Sequence, residues 1–222
     1  MLHLHHLENS RSFRIIWLLE ELNADYQLTC YERTNAYRAP DSLKKIHPLG
    51  HTPILEVNGR ALVESGFIIE YLLKHYDKEQ QFKPTDDNEE AWESFTFWLH
   101  FAEASIMPLL VMRLVFTKVV EKSPMLIKPV SKSIRKQVEN NMINDSLTTM
   151  LNMMEQQLQH NHWFAGEAFS AADIQMHLVV VATNAGSGLD KVKYANILNW
   201  LKRCEARAAF KQAEVKGGRV QF

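Results

Sequence analysis

Cysteine is nearly absent: Cys30 and Cys204 are the only two in 222 residues, and they lie far apart. A disulfide framework and a four-thiolate zinc site are both excluded, and a reducing cytoplasm is the expected setting. Neither sign of charge is in excess. The 25 Lys and Arg stand against 26 Asp and Glu, a net charge of −1, so bulk charge recruits neither nucleic acid nor an anionic membrane. Long apolar runs are lacking as well. The most apolar stretch, 107–116, is broken by Arg113, and no membrane span is expected. The opening Met-Leu-His-Leu-His-His has neither the basic start nor the apolar centre of a signal peptide. Internal repeats and low-complexity tracts are missing too. What is present is 46% apolar and 23% charged residues, the balance of a folded protein with room for one large domain or two small ones.

The first third alternates strand and helix signals. Leu2 and Leu4 oppose His3 and His5 in a period-2 run. Residues 12–23 read as a helix with Ile15, Leu18, Leu19 and Leu22 on one stripe. Residues 26–32 read as a second strand, and Pro40-Asp41-Ser42 opens a short helix. The apolar runs 53–57 and 60–63 are joined by Asn58-Gly59, a strong hairpin signal. A helix follows from Ser65 with Ile69, Leu72, Leu73 and Tyr76 in one stripe. The order β-α-β-α-β-β-α predicts an α/β layer over residues 1–77. Residues 78–88 are polar, carry Pro84-Thr85-Asp86-Asp87, and read as a linker. From 89 to 222 only helical periodicity remains, which predicts an all-α bundle with a kink at Pro108. Six basic residues between Lys118 and Lys136 read as the solvated face of a helix pair.

Three short segments carry possible chemistry. Asn9-Ser10-Arg11-Ser12 lies between the first strand and the first helix. Serine is a favoured N-cap there, and a hydroxyl at a helix N-terminus is also placed to meet an anion. Two serines allow both jobs. In His51-Thr52-Pro53 a proline starts a strand, which marks either a simple strand boundary or a cis bond that turns the backbone of Thr52 toward an extended peptide-like ligand. Glu64-Ser65-Gly66 opens the third helix. There Ser65 is either an N-cap or, with the helix N–H groups, a carboxylate holder, and Glu64 suits an ammonium. Together the three segments describe a cleft for a short zwitterionic peptide.

These segments, with Phe169-Ser170-Ala171-Ala172-Asp173-Ile174, resemble the cytosolic glutathione transferase family over nearly the whole chain, most closely a bacterial and fungal branch with a Ser-Arg-Ser opening. The resemblance implies a thioredoxin-like N-terminal domain, a helical C-terminal domain and a homodimer. It implies no cofactor beyond glutathione as co-substrate. Ser10 matches the serine that binds the glutathione sulfur in serine-type classes, with Ser12 as the other candidate and Asn9 as a further donor. Thr52, before the expected cis Pro53, matches the residue that pairs with the cysteinyl unit. Glu64 and Ser65 match the pair that holds the γ-glutamyl end, and His51 stands near the glycyl carboxylate. Ser170 and Asp173 match the internal capping box, flanked by Phe169 and Ile174 as a hydrophobic staple.

The chemistry implied is thiol activation. A free thiol titrates near 8.5, and only its thiolate is nucleophilic. A hydroxyl donor to that anion is worth about 1.5–3 kcal/mol, or one to two pKa units. Ser10 is therefore expected to stabilise a thiolate rather than form a covalent bond. With neither Cys nor Tyr at the head of the first helix, mixed-disulfide chemistry and the tyrosine-type classes do not fit. Glutathione-dependent reduction of organic peroxides remains compatible, and so does a non-catalytic carrier on the same fold. The hydrophobic electrophile is expected between the domains, against Leu7, His100, Glu103, Met107, Met112 and residues near Phe116. Glu103 is expected to be buried, as a polar contact either to that substrate or to glutathione across a dimer, while most of the Met and aromatic residues are expected in the bundle core. The histidines His3, His5 and His6 invite a metal reading, but no carboxylate or Cys is spaced to complete a site, and none is expected. His177 falls in an apolar stripe and reads as a core residue.

Overall fold

In the computed structural model, which describes residues 1–85 and 87–221, the N-terminal part is a four-stranded mixed sheet in the order β2-β1-β3-β4. Its strands are β1 (Leu2–Leu7), β2 (Tyr26–Tyr31), β3 (Ile54–Val57) and β4 (Arg60–Val63). β1 and β2 are parallel, and the other pairs are antiparallel. The Asn58-Gly59 hairpin forms as expected. Both residues take positive φ, 50° and 80°, the backbone that a two-residue turn matched to strand twist requires. Leu2, Leu4, Leu55, Val57 and Leu62 form the face buried under α1 (Phe13–Glu21) and α2 (Ser65–Tyr76). The segment Asp41–Lys45 is a 3₁₀ helix.

α1 is shorter than the 12–23 expected from periodicity, and Phe13 to Leu19 are all buried rather than one stripe of them. The reason is tertiary. α9 (Ala208–Gly217) and α7 (Ala171–Ser187) close over the side of α1 that the sheet leaves open. Trp17 lies among the rings of Phe169, His177 and Phe210. Arg207 holds Glu21 through two bonds of 2.6 and 2.8 Å, and Lys216 holds Glu20 at 2.6 Å. The two parts therefore share one core.

The connection between α2 and α3 (Glu89–Phe101) is anchored. Asp77 accepts from the Gln81 and Phe82 N–H groups, and the Phe82 carbonyl accepts from Ala171. Asp86, part of the motif read as a linker, lies outside the described residues. After α3 come a π turn (Ala102–Ile106), α4 (Met107–Lys122), α5 (Lys128–Val138), a second π turn (Glu139–Ile143), α6 (Asn144–His160) and, beyond α7, α8 (Ala195–Ala206).

Two expectations change here. The irregularity placed at Pro108 falls one turn earlier, in the π turn, which Pro108 follows directly. The helix consequently runs on from Glu89 to Lys122, 34 residues, and by length and composition alone it contains a window apolar enough to cross a bilayer. Reading 107–116 as broken by Arg113 had excluded this. Its inner side packs in the bundle through Phe95, Trp98, Leu99, Ala102 and Ile106.

Candidate active site

β1 ends at Leu7, and Asn9, at φ 48°, turns the chain so that Ser10 stands just ahead of α1. Ser10 Oγ donates to the Leu7 carbonyl at 2.8 Å and meets Thr52 Oγ1 at 3.1 Å and Ser12 Oγ at 2.6 Å. It also accepts from the Ser12 N–H. Ser12 has a different environment. It is fully buried, and its hydroxyl meets His6 Nδ1 at 2.8 Å and the Leu7 N–H at 3.2 Å. The division of labour expected between capping and ligand is thus altered: Ser12 makes no capping bond to α1 and instead ties the turn to β1. Asn9 is also committed elsewhere, accepting from the Gln221 N–H. The N–H groups of Phe13 to Ile16 bond to the carbonyls of residues 10–12. Of the two serine hydroxyls at this turn, the partly exposed one is therefore that of Ser10.

His6 is a residue that sequence reasoning left unassigned. Its Nε2 lies 2.8 Å from the Gly217 carbonyl, so this nitrogen carries a proton. Burial depresses its pKa and keeps the ring neutral, which leaves Nδ1 to accept from Ser12. Contacts thus run from α9 through His6 to Ser12, whose Oγ lies 2.6 Å from that of Ser10. Only contact with Gly217, 211 residues away, reveals this link.

Ser10 lines a cleft of about 500 Å³ with Leu7, Arg33, Thr52, Met107 and Leu178. A second cleft, about 610 Å³, is lined by Glu64, Ser65, Gly66, Phe67, Glu103 and Gln175 among others. Arg11, His51 and Thr52 border both. The Thr52–Pro53 bond is cis, as expected. Among the described residues, nothing bonds the N–H or C=O of Thr52, which leaves both available to an extended chain. Glu64 is at φ 72° and occupies the N-cap position of α2 in place of Ser65. The N–H groups of Ser65, Gly66 and Phe67 make no hydrogen bond among the described residues. Such a helix start suits a carboxylate.

Ser65 Oγ, 4% exposed as a residue, accepts from Arg14 Nη1 at 3.3 Å, so its own proton is free to point outward. Arg14 is 1% exposed, and the same nitrogen meets Glu103 Oε1 at 2.5 Å. Arg11 Nε meets the other Glu103 oxygen at 3.0 Å. Burial pulls Arg14 below its ordinary pKa, and Glu103 opposes that shift.

Two placements depart from the expected electrophile pocket. Glu103 is 30% exposed by side chain rather than buried, and both it and His100 border the Glu64–Ser65 cleft, not the Leu7–Met107 cleft. The physical reason is the π turn, which widens the helix and rotates Glu103 toward the two arginines. Met112 and Phe116 line neither cleft. Arg11, Arg14 and Gln175 were not anticipated. Gln175 Oε1 is buried without a partner among the described residues. A polar residue between Ile174 and Met176, beside the capping motif, was the available signal.

The Ser170–Asp173 motif is structural. Asp173 is fully buried and accepts from the Ser170 N–H and hydroxyl, the Phe164 N–H and Trp200 Nε1. Burial raises its pKa, and these four donors act in the opposite direction. Phe169 and Ile174 are both buried beside it. His177 is likewise a core residue, 5% exposed.

The family comparisons agree with this architecture. Residues 1–74 match the model of the glutathione S-transferase N-terminal domain, and residues 110–208 match the model of its C-terminal domain. Glutathione S-transferase 3 of Schizosaccharomyces pombe is 34% identical over 216 residues, covering 97% of this chain and 88% of that protein. Glutathione S-transferase 1 of Saccharomyces cerevisiae is 29% identical over 220 residues, covering 96% and 93%. Among solved structures, a glutathione S-transferase of Actinobacillus pleuropneumoniae superposes with a TM-score of 0.80 at 29% identity, covering 98% of this chain and 93% of the other. With its mixed four-stranded sheet, its helical second part and matches to both domain models, the chain belongs to the glutathione S-transferase family.

Proposed function

We propose that the chain adds the thiol of glutathione to hydrophobic electrophiles, with the Ser10 hydroxyl stabilising the thiolate. One observation carries this reading: Ser10 is the partly exposed hydroxyl that faces the Leu7–Met107–Leu178 cleft beside Thr52, whereas Ser12 is buried under it. The Thr52 backbone takes the cysteinyl unit in this reading. Ser65, the first N–H groups of α2 and Glu64 take the γ-glutamyl end, and His51 takes the glycyl carboxylate. When the anion binds, the Ser10 proton turns from the Leu7 carbonyl to the sulfur. A hydrogen bond to a charged partner then lowers the thiol pKa by about one to two units. The electrophile lies against Leu7, Met107 and Leu178, an apolar wall with an adaptable methionine.

The same thiolate supports reduction of organic peroxides, two glutathiones yielding the disulfide, an alcohol and water. A cytoplasmic homodimer completes the proposal. Exposed Val111, Leu114, Val115 and Val119 on α4, with Ile127, Val130 and Ile134 at α5, supply an apolar face for a second copy.

The test is a titration of the protein with glutathione, following thiolate absorbance against pH. The expected result is a depressed thiol pKa that rises again in Ser10→Ala, with conjugation falling far more than affinity. Glutathione bound with an unshifted thiol would instead make the protein a holder of the peptide.

A further inference from the structure

The face of the sheet opposite the core carries a cluster that the glutathione chemistry does not use. His3 and His5 lie two residues apart on β1 and point to the same side, and Glu56 of β3 stands directly opposite His3 in the antiparallel register. His5 Nε2 is 2.5 Å from Glu56 Oε1, and His3 Nδ1 is 3.8 Å from the same oxygen. The two imidazole rings are 4.3 Å apart. Each ring is also held from behind by a hydroxyl on β2. His3 Nε2 meets Thr29 Oγ1 at 2.8 Å, and His5 Nδ1 meets Tyr31 Oη at 3.0 Å.

We infer that His3 Nδ1, His5 Nε2 and Glu56 form a binding site for a divalent late first-row metal ion of the zinc type. Two imidazoles and one carboxylate are an ordinary donor set for such an ion, with water in the fourth position. Bonds of about 2.0–2.1 Å in a tetrahedron put ligand atoms about 3.3 Å apart. The observed separations of 2.5 and 3.8 Å bracket that value, so side-chain rotation suffices and the strands need not move. The hydroxyls behind the rings are what ligating histidines require: with one nitrogen on the metal, the other donates its N–H to an acceptor that fixes the ring. For His5 this needs one tautomer shift, with the proton moving from Nε2 to Nδ1 and Tyr31 turning to accept. The side chains of His3 and Glu56 are 30% and 37% exposed and that of His5 is 5%, so the ion is anchored on the buried ring and open to solvent on the outside. Bound there, it clamps β1 to β3.

The test uses untagged protein stripped with a chelator, because a polyhistidine tag binds the same ions. Zn²⁺ is titrated calorimetrically, and Co²⁺ is followed by visible absorption. The expected result is one ion per chain, a tetrahedral cobalt spectrum and a melting temperature raised by a few degrees. Binding should weaken at least tenfold in His3→Gln and in Glu56→Gln and stay unchanged in His162→Gln, which removes an exposed histidine elsewhere. His3 is half-exposed, and retained glutathione binding checks that its variant is folded. No saturable binding, or binding that survives both His3→Gln and Glu56→Gln, would overturn the assignment.

Discussion

Arg14, in the first turn of α1, and Glu103, in the π turn between α3 and α4, form an ion pair with Nη1 and Oε1 2.5 Å apart, and the same Arg14 nitrogen reaches Ser65. The residue expected to hold the γ-glutamyl end is therefore braced by a charge pair that joins the sheet layer to the bundle. Glu103→Gln leaves a guanidinium that is 1% exposed without its counter-charge. Breaking a buried pair costs about 3–5 kcal/mol, and the partial exposure of Glu103 places this one near the lower end. Urea unfolding measures the loss. A change below about 1 kcal/mol would mean that Arg14 finds another partner.

Ser10 and Ser12 should separate in opposite directions. Ser12→Ala leaves the buried Leu7 N–H and His6 Nδ1 unpaired, and stability should fall by about 1–3 kcal/mol. Ser10→Ala removes the hydroxyl that faces the cleft and one weak acceptor for the Ser12 N–H, so conjugation should fall by roughly 10- to 100-fold while stability falls by about 1 kcal/mol or less, below the loss in Ser12→Ala. Thermal melts and conjugation rates on both variants give a crossed pattern. If Ser12→Ala is the less active of two equally stable variants, the roles are reversed.

Acid should destabilise the fold through its buried histidines. Burial lowers the pKa of both His6 and His177 from 6.5, so the native state holds fewer protons than the unfolded chain between the two values. Stability is then full above about pH 6.5 and declines as pH falls toward the native pKa values, by up to about 1.4 kcal/mol per pH unit for each group. Denaturation midpoints between pH 8 and pH 5 measure the slope. In His177→Phe it should be shallower, and an unchanged slope would remove His177 as a contributor.

Glu64 holds φ at 72°, a region that costs a non-glycine residue about 1–3 kcal/mol. Glu64→Gly relieves that strain but adds chain entropy to the unfolded state, about 0.5–1 kcal/mol. Stability should therefore hold or rise slightly while affinity for glutathione drops. A clear loss of stability would show that the Glu64 side chain supports the fold.

Much of this protein is written in local pattern. The Asn58-Gly59 hairpin, the alternation along β1, the stripe of α2 and the cis bond before Pro53 follow from residues within a few positions of one another, where turn chemistry and periodicity act. The Ser170–Asp173 pair is equally local, since a capping box spans one helical turn. The same locality brings Ser10, Thr52, Glu64 and Ser65 within reach of a sequence reading, because each stands at the start of an element.

What tertiary structure alone decided depends on contacts between distant segments. Periodicity cannot foresee that α9 covers α1, so it gave Phe13 to Leu19 one buried stripe where the whole surface is enclosed. It cannot show that Gly217 fixes the tautomer of His6, or that Ser12 rather than Ser10 is enclosed. A π turn has no strong composition signal, so composition points to Pro108 as the break and gives no hint that Glu103 borders the Glu64–Ser65 cleft. The carboxylate that completes the His3–His5 cluster lies 51 positions from His5. Strand register, which is set by the burial of Leu2, Leu4, Leu55 and Val57 on the other face of the sheet, is what brings it there.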